Sequence, residues 1–491
     1  MRGVVAAGHP RTAEAGADVL RAGGNAVDAA LASMFTSFVA EPMLTGLGAG
    51  GYMLVAPPGG DPVLLDFFVE APGRGLAPGA PHAPLRAVSV DFGDAVQVFN
   101  IGASAAGPYG TLSGAWTAAE RFARLPMAEL IAPAVAAARA GIVVNAQQAY
   151  LFEILAPITA ATAEAHALYM PAGRSPRIGE VHRDPALADT LERLAAEGPA
   201  PFYTGDVAAA VCTWVSERGG LLTRADLAAY ATVARPPVRV AYRGQAVLTN
   251  PPPSAGGILL AYALALLEQG PVRPPVTAIV DAMEAAQAER TQEFLAGLQE
   301  PGFLERFSAS RLGATTHISA VDADGWACAV TCTNGEGSGE VVPRTGIHLN
   351  NMMGEQDLSP FGFHAHPPGR RLPSMMAPTM VLGEGGPRLV IGSAGSNRIR
   401  SAILQVVIGV LDHGLDVQAA IDAPRVHFED GVVYAEPGID IDALESARRS
   451  VVRFAARNLF FGGAQGVLRD PADGGLTGGC DPRRGGAVAV A

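Results

Sequence analysis

The stretch GATTHISAVDADGWACAVTCT, residues 313–333, carries the best arrangement of hydroxyl nucleophiles in the chain. Thr315, Thr316 and His317 head one apolar, β-branched run, and Thr331 and Thr333 end the next. Between them lies Ala323-Asp324-Gly325, a three-residue hairpin loop in which the glycine takes the left-handed position of a G1 bulge. Closure on Asp322 and Trp326 sets Thr315 opposite Thr333. Cross-strand β-carbons lie about 4.5–5.5 Å apart, so these two hydroxyls could exchange a hydrogen bond. Any other loop length would shift the register and separate them. The pattern also fits a purely structural hairpin, because threonine is a good strand former and paired threonines support sheets.

Composition narrows the chemistry. The 491 residues include no lysine, so Schiff-base and pyridoxal phosphate enzymes and the lysine-bearing phosphate loop are excluded. A net charge of -12 gives no general attraction to nucleic acid or to an anionic membrane, and neither is expected as a partner. The four cysteines, Cys212, Cys328, Cys332 and Cys480, form no CxxC pair and no disulfide framework, and read as buried thiols. No apolar run reaches the roughly 18 residues of a membrane span, and the N-terminus lacks the apolar stretch of a signal peptide. A soluble, cytoplasmic protein is the expectation.

The elements that must position the hydroxyls can be outlined from pattern. TAEAGADVLRAGGNAVDAALASMFTSF predicts a helix ended by Gly23 and Gly24, then a second capped by Asn25 with Asp28 at its third position. PMLTGLGAGGYMLVA is a glycine-rich bend entering a strand, with PVLLDFFVEAPG as its hairpin partner. Helical patterns dominate from about 115 to 300, interrupted by a strand pair in PVRVAYRGQAVLTNPPPSAGG. Short strands return from 315, with one helix in IRSAILQVVIGVLDHGL. Strands near both ends of the chain, with helices between, predict an α+β protein of stacked layers around one core.

With those elements in place, the activation stretch resembles that of the gamma-glutamyltransferase family of N-terminal nucleophile hydrolases. LRAGGNAVDAA resembles the family's first-helix signature and GLGAGGYML its glycine bend. NPPPSAGG, TGIHLNNMM, LPSMMAPT and GSAGSNRI resemble later motifs, in the family's order. The resemblance implies a four-layer αββα sandwich that cuts itself between Ala314 and Thr315. The products would be a large segment, 1–314, and a small segment, 315–491, that stay associated. It further implies that Thr315 is the nucleophile, Thr333 orients it, and the backbone amides of Gly395 and Ser396 form the oxyanion hole. No cofactor or metal is implied, and the substrate is a small amide or peptide. The family usually has glycine where Ser396 stands, so the serine is equivalent only if its backbone avoids positive φ.

The same comparison exposes departures in the substrate positions. The family's carboxylate-binding arginine is Phe68 here, in LLDFFVEAP, and an apolar ring cannot replace a bidentate guanidinium. Gly335 stands where the family has asparagine, Met352 replaces a polar residue, and Glu355 falls where an aspartate would hold an α-amine. Of the family's paired serines only Ser374 remains, followed by Met375. Either Arg344 or Arg371 compensates, or the donor lacks the full glutamyl headgroup, as in the related cephalosporin acylases. A silent scaffold is the reading from a different class. His348, His364 and His366 are expected to make hydrogen bonds or meet solvent rather than bind metal, and GEGSG at 335–339 is expected to be a mobile loop.

Overall fold

The computed structural model describes residues 1–91, 96–289, 291–298, 300, 316–359 and 361–491, without the side chains of Gln292 and Leu295. Ala314 and Thr315 therefore lie outside the described residues. Residues before 300 supply β1 (Gly3–Ala7), β2 (Gly50–Ala56), β3 (Val63–Phe67), β4 (Val233–Arg235), β5 (Val238–Tyr242) and β6 (Gln245–Thr249). Residues from 316 supply β7 (Thr316–Asp322), β8 (Ala327–Thr333), β9 (Thr379–Gly383), β10 (Gly386–Ala394), β11 (Gly463–Arg469), β12 (Leu476–Cys480) and β13 (Ala487–Val490). These make a seven-stranded sheet in the order β13-β1-β7-β8-β2-β3-β4 and a six-stranded sheet in the order β12-β11-β10-β9-β6-β5. The two halves of the chain interleave within both sheets, so neither half contains a complete sheet.

The hairpin register predicted from the ADG loop is the one observed. Thr316 faces Cys332 and His317 faces Thr331; the Asp322 N–H donates to the Trp326 carbonyl at 3.1 Å, and Gly325 has φ +95°. Alternation along β8 then sorts its side chains. Cys328, Val330 and Cys332 enter a core shared with helices, while Ala327 and Ala329 enter the core shared with the second sheet. Thr333 follows the second set and points toward that sheet.

Helices cover the outer faces. On the seven-stranded sheet these include α1 (Pro10–Arg21), α2 (Ala26–Ala40) and α3 (Met127–Ala140); on the six-stranded sheet, α4 (Ala255–Glu268), α5 (Val276–Ala288) and α6 (Arg398–Leu411). The capping box predicted at Asn25 is present: its side-chain oxygen accepts from the N–H groups of Val27 and Asp28, and Asp28 accepts from the Asn25 N–H. Asp322, at the hairpin turn, accepts the N–H of Ala26 at 3.0 Å and so pins the start of α2 to that end of the sheet. A 15-residue helix is about 22 Å long, and a strand the length of β7 about 20 Å. This match carries Glu41, just past the end of α2, to Thr316 at the other end of β7.

The two sheets approach closely at one point. A β-carbon on Gly392 of β10 would lie 2.2 Å from His317 Nδ1, so the glycine makes room for the imidazole between the sheets. His317 bonds Thr331 Oγ1 at 2.7 Å through Nδ1 and Ser319 Oγ at 2.9 Å through Nε2, and Ser319 donates to the Gln465 carbonyl on β11. That contact fixes the end of β10 beside the ends of β7 and β8.

Candidate functional site

Where β8 and β10 end together, one cavity is lined by Thr333, Gly335, Glu336, Gly395, Ser396 and Arg398. Arg484, from near the C-terminus, and Gln97 complete its polar wall, and Leu44 and Leu155 supply apolar wall. Thr333 is buried, and its hydroxyl accepts the N–H of Gly335 at 2.7 Å. Gly395 has φ +117° and Ser396 φ +54°, so the serine holds the left-handed conformation that favours glycine. This costs of order 1 kcal/mol and is a strain typical of functional turns. The carbonyls of Gly395 and Ser396 accept from the N–H groups of Arg398 and Ile399 at the start of α6. Their own N–H groups donate to no acceptor among the described residues.

Of the other sequence-derived candidates, Glu355 lies directly behind Gly335: a β-carbon on Gly335 would be 2.5 Å from its Oε1. Burial, with Glu336 and Asp357 nearby, raises the Glu355 carboxyl well above the usual carboxylate range. Phe68, Met352 and Ser374 are elsewhere. Phe68 and Met352 are each 1% exposed in the core between the sheets, and Phe68 stacks on Tyr52 with ring centroids 5.6 Å apart. Ser374 accepts the N–H of Met376 on its hydroxyl and the N–H groups of Ala255 and Gly256 on its carbonyl, serving the first turn of α4.

Neither arginine expected to compensate for Phe68 reaches the cavity lining. Arg371 donates to the carbonyls of Phe68 and Ala231 and faces Glu70 at 3.5 Å and Asp66 at 3.6 Å. Arg344 is an exposed turn residue at φ +63°. The GEGSG segment also differs from expectation. It is a packed turn: Ser338 N–H bonds the Leu349 carbonyl, and Gly339 N–H bonds His348 Nε2 at 3.1 Å. His348 also meets the Tyr169 hydroxyl, His366 meets the Leu358 carbonyl, and the His364 ring lies 4.2 Å from that of His82.

Sequence reasoning passed over four ionisable groups here. Glu41 accepts Thr316 Oγ1 at 2.9 Å and Thr12 Oγ1 at 3.0 Å, and burial lifts its carboxyl to about 7. Glu336 is lifted to about 7 by burial against the pull of Arg484 and Arg398. Arg398 sat unremarked inside GSAGSNRI, and Arg484 inside DPRR; both belong to segments remote in sequence from the hairpin. His317, beside the hydroxyls, is a structural residue. Burial lowers it to about 3, so it is neutral at pH 7 and held in the hydrogen bonds above.

The Gamma-glutamyltranspeptidase family profile matches residues 12–305 and 298–491. The chain belongs to this family. It is 32% identical to the acylase ACY 1 proenzyme of Pseudomonas sp. (strain SE83), over 97% of this chain and 91% of that one. It is 31% identical to the glutathione hydrolase proenzyme of Escherichia coli (strain K12), over 98% and 90%. Among solved structures, the cephalosporin acylase from Bacillus halodurans superposes with a TM-score of 0.83 at 28% identity, covering all of this chain and 96% of that one. This gamma-glutamyltranspeptidase family member is thus an enzyme of the hydrolase and transferase type, and its relatives include both glutathione hydrolases and acylases.

Proposed function

We propose that the protein is an autoprocessed threonine hydrolase or acyltransferase acting on γ-glutamyl-type amides. The observation that carries this reading is the convergence of Thr333 with the two unengaged N–H groups of Gly395 and Ser396 in one cavity. In the precursor, the Thr315 hydroxyl attacks the Ala314 carbonyl; the acyl group moves from nitrogen to oxygen, and water cleaves the resulting ester. The segments 1–314 and 315–491 remain together in one four-layer αββα sandwich, a reading supported by the interleaved strands and by helices on both outer faces.

The new N-terminus supplies the base. An α-amine of pKa about 7.7–8.0 takes the proton of the Thr315 hydroxyl as it attacks the donor carbonyl. The tetrahedral oxyanion is held by the Gly395 and Ser396 N–H groups, a contribution worth about 10²–10³-fold per donor. The protonated amine then gives its proton to the leaving nitrogen, and water or an acceptor amine releases the acyl group. Thr333 orients the nucleophile. Intact mass measurement is expected to find two chains for the wild type and one for Thr315→Ala, whose turnover falls by about 10³-fold or more. A wild-type chain that stays whole under all conditions overturns the reading.

A second reading, an N-acyl amide hydrolase of the cephalosporin acylase kind, is favoured by one observation: Phe68 is sealed in the intersheet core rather than presented to the cavity. Relative kcat/KM on γ-glutamyl and glutaryl anilides separates the two.

A further inference from the structure

The cavity holds two cations that the proposed chemistry does not use. Arg398 and Arg484 both line it, beside Gly395 and Ser396. The chain's neighbouring buried arginines are paired: Arg425 meets Asp481 at 2.7 Å, and Arg483 meets both Asp481 at 3.2 Å and Glu436. Arg398 and Arg484 differ, since neither is within ion-pair distance of a carboxylate among the described residues. Arg398 spends its Nε on the Phe460 carbonyl at 3.0 Å, and its guanidinium lies 4.7 Å from the Phe460 ring centre. Arg484 makes a 3.4 Å contact to the Leu459 carbonyl, and its buried Nε has no partner.

Glycine makes this arrangement possible. A β-carbon on Gly395 would sit 3.2 Å from Arg484 Nη2, and one on Gly463 would sit 2.4 Å from Arg484 Cδ. The guanidinium therefore lies against the cavity-lining segment whose N–H groups have no acceptor among the described residues. Burial, then repulsion from Arg398, pushes Arg484 down to about 10, and burial also lowers Arg398, so the carboxylates around them do not offset the loss of hydration. Glu336 is the carboxylate that acts on both guanidinium groups, and burial lifts it to about 7; Glu429 and Asp357 act on Arg398, and Asp481 and Glu41 on Arg484, each from beyond ion-pair distance. A carboxylate is the ligand that two planar guanidinium groups accept best.

We propose that Arg398 and Arg484 form a carboxylate subsite that receives the distal end of the donor's acyl group. Resting on the acyl-transfer reading above, it assigns the substrate class as amides whose acyl chain ends in a carboxylate, whether γ-glutamyl or glutaryl. Recognition then rests on the Arg398 and Arg484 wall of the cavity and not on the position of Phe68.

The test compares glutaryl-, γ-glutamyl- and butyryl-p-nitroanilide on the processed protein. Wild-type kcat/KM is expected to favour at least one carboxylate donor over butyryl by tenfold or more; which of the two is preferred distinguishes the sources. In Arg484→Met and in Arg398→Gln that ratio collapses toward one, chiefly through KM. Calorimetric titration with glutarate reads the same subsite without turnover, and binding should weaken at least tenfold in each variant that retains the wild-type melting profile. The proposal is overturned by a ratio near one in a processed wild type that turns over butyryl anilide. It is equally overturned by undiminished glutarate binding in both variants, or by no glutarate binding to the wild type. Should the chain neither process nor turn over any donor, the acyl-transfer reading fails, while glutarate binding lost in the variants still supports the anion site.

Discussion

The two sides of the cavity-forming strand ends are built from opposite chemistry. On the β2–β3 side, Phe68, Tyr52 and Met352 lie within the core between the sheets, and the nearby Arg371 faces Asp66 and Glu70. On the α6 side, Arg398 and Arg484 face the cavity with no carboxylate paired to either among the described residues. The first side has neutralised its charge and excluded solvent; the second keeps charge at the cavity wall. The difference teaches that an apolar residue at the family's arginine position does not leave the cavity without cations. Motif order matched positions in both regions, Phe68 in one and Gly395 and Ser396 in the other, yet only the second pair lines the cavity.

The largest expected effect tests the sealed side. Phe68→Arg restores the family's residue, but it puts a charge into the intersheet core, and a loss of about 3–5 kcal/mol is expected in denaturant unfolding. A variant that keeps its stability and gains γ-glutamyl turnover would show instead that Phe68 belongs to the substrate pocket, and the contrast between the two sides would fail. At the boundary between them, Ser396→Val places a β-branched residue at φ +54° and should lower kcat by about 10²–10³-fold by displacing an N–H of the oxyanion site. Ser396→Gly, which suits that φ, should instead retain turnover; equal kinetics for the two variants would remove the oxyanion assignment.

The smallest effect is a pH dependence on the charged side. Glu336 faces Arg484 and Arg398, with Glu355 beside it, and is held at about 7 by burial. Below that pH it is protonated and leaves both guanidinium groups to the donor; above it, the carboxylate competes for them. KM for a glutaryl donor should therefore rise several-fold from pH 6 to 8.5, and Glu336→Gln should flatten the rise. Under the proposed processing, a freed α-amine on Thr315 would titrate in the same range but act on kcat, and a butyryl donor provides the control. A KM for glutaryl anilide that falls with pH in the wild type would contradict this picture.

Much of the framework was legible because it rests on local rules. The Gly325 turn sets the hairpin register through loop length alone, and the Asn25–Asp28 box marks the start of α2 through hydrogen bonds spanning three residues. The candidate reaction centre was legible through motif order, which brought Thr333, Gly335, Gly395 and Ser396 forward before any contact between them was visible. Phe68, Met352 and Ser374 matched motif positions too, yet their side chains serve the core and a helix end. GEGSG looked mobile from its glycines, but its backbone donors find acceptors on the Leu349 carbonyl and on His348. Composition reports what a backbone can do, not which partners it meets.

By itself, then, the sequence determined the hairpin and its register, the first two helices, the absence of lysine chemistry and the family. All of these follow from residue type and spacing along a few turns of chain. Only the tertiary structure decided that Glu41 reaches Thr316, that Ser396 is held at positive φ, and that Arg398 and Arg484 meet beside Gly395. Those outcomes depend on the matched lengths of α2 and β7, on the approach of two sheets at Gly392, and on a chain end that returns to the cavity. Such distances are set by packing across hundreds of residues, and no local pattern encodes them.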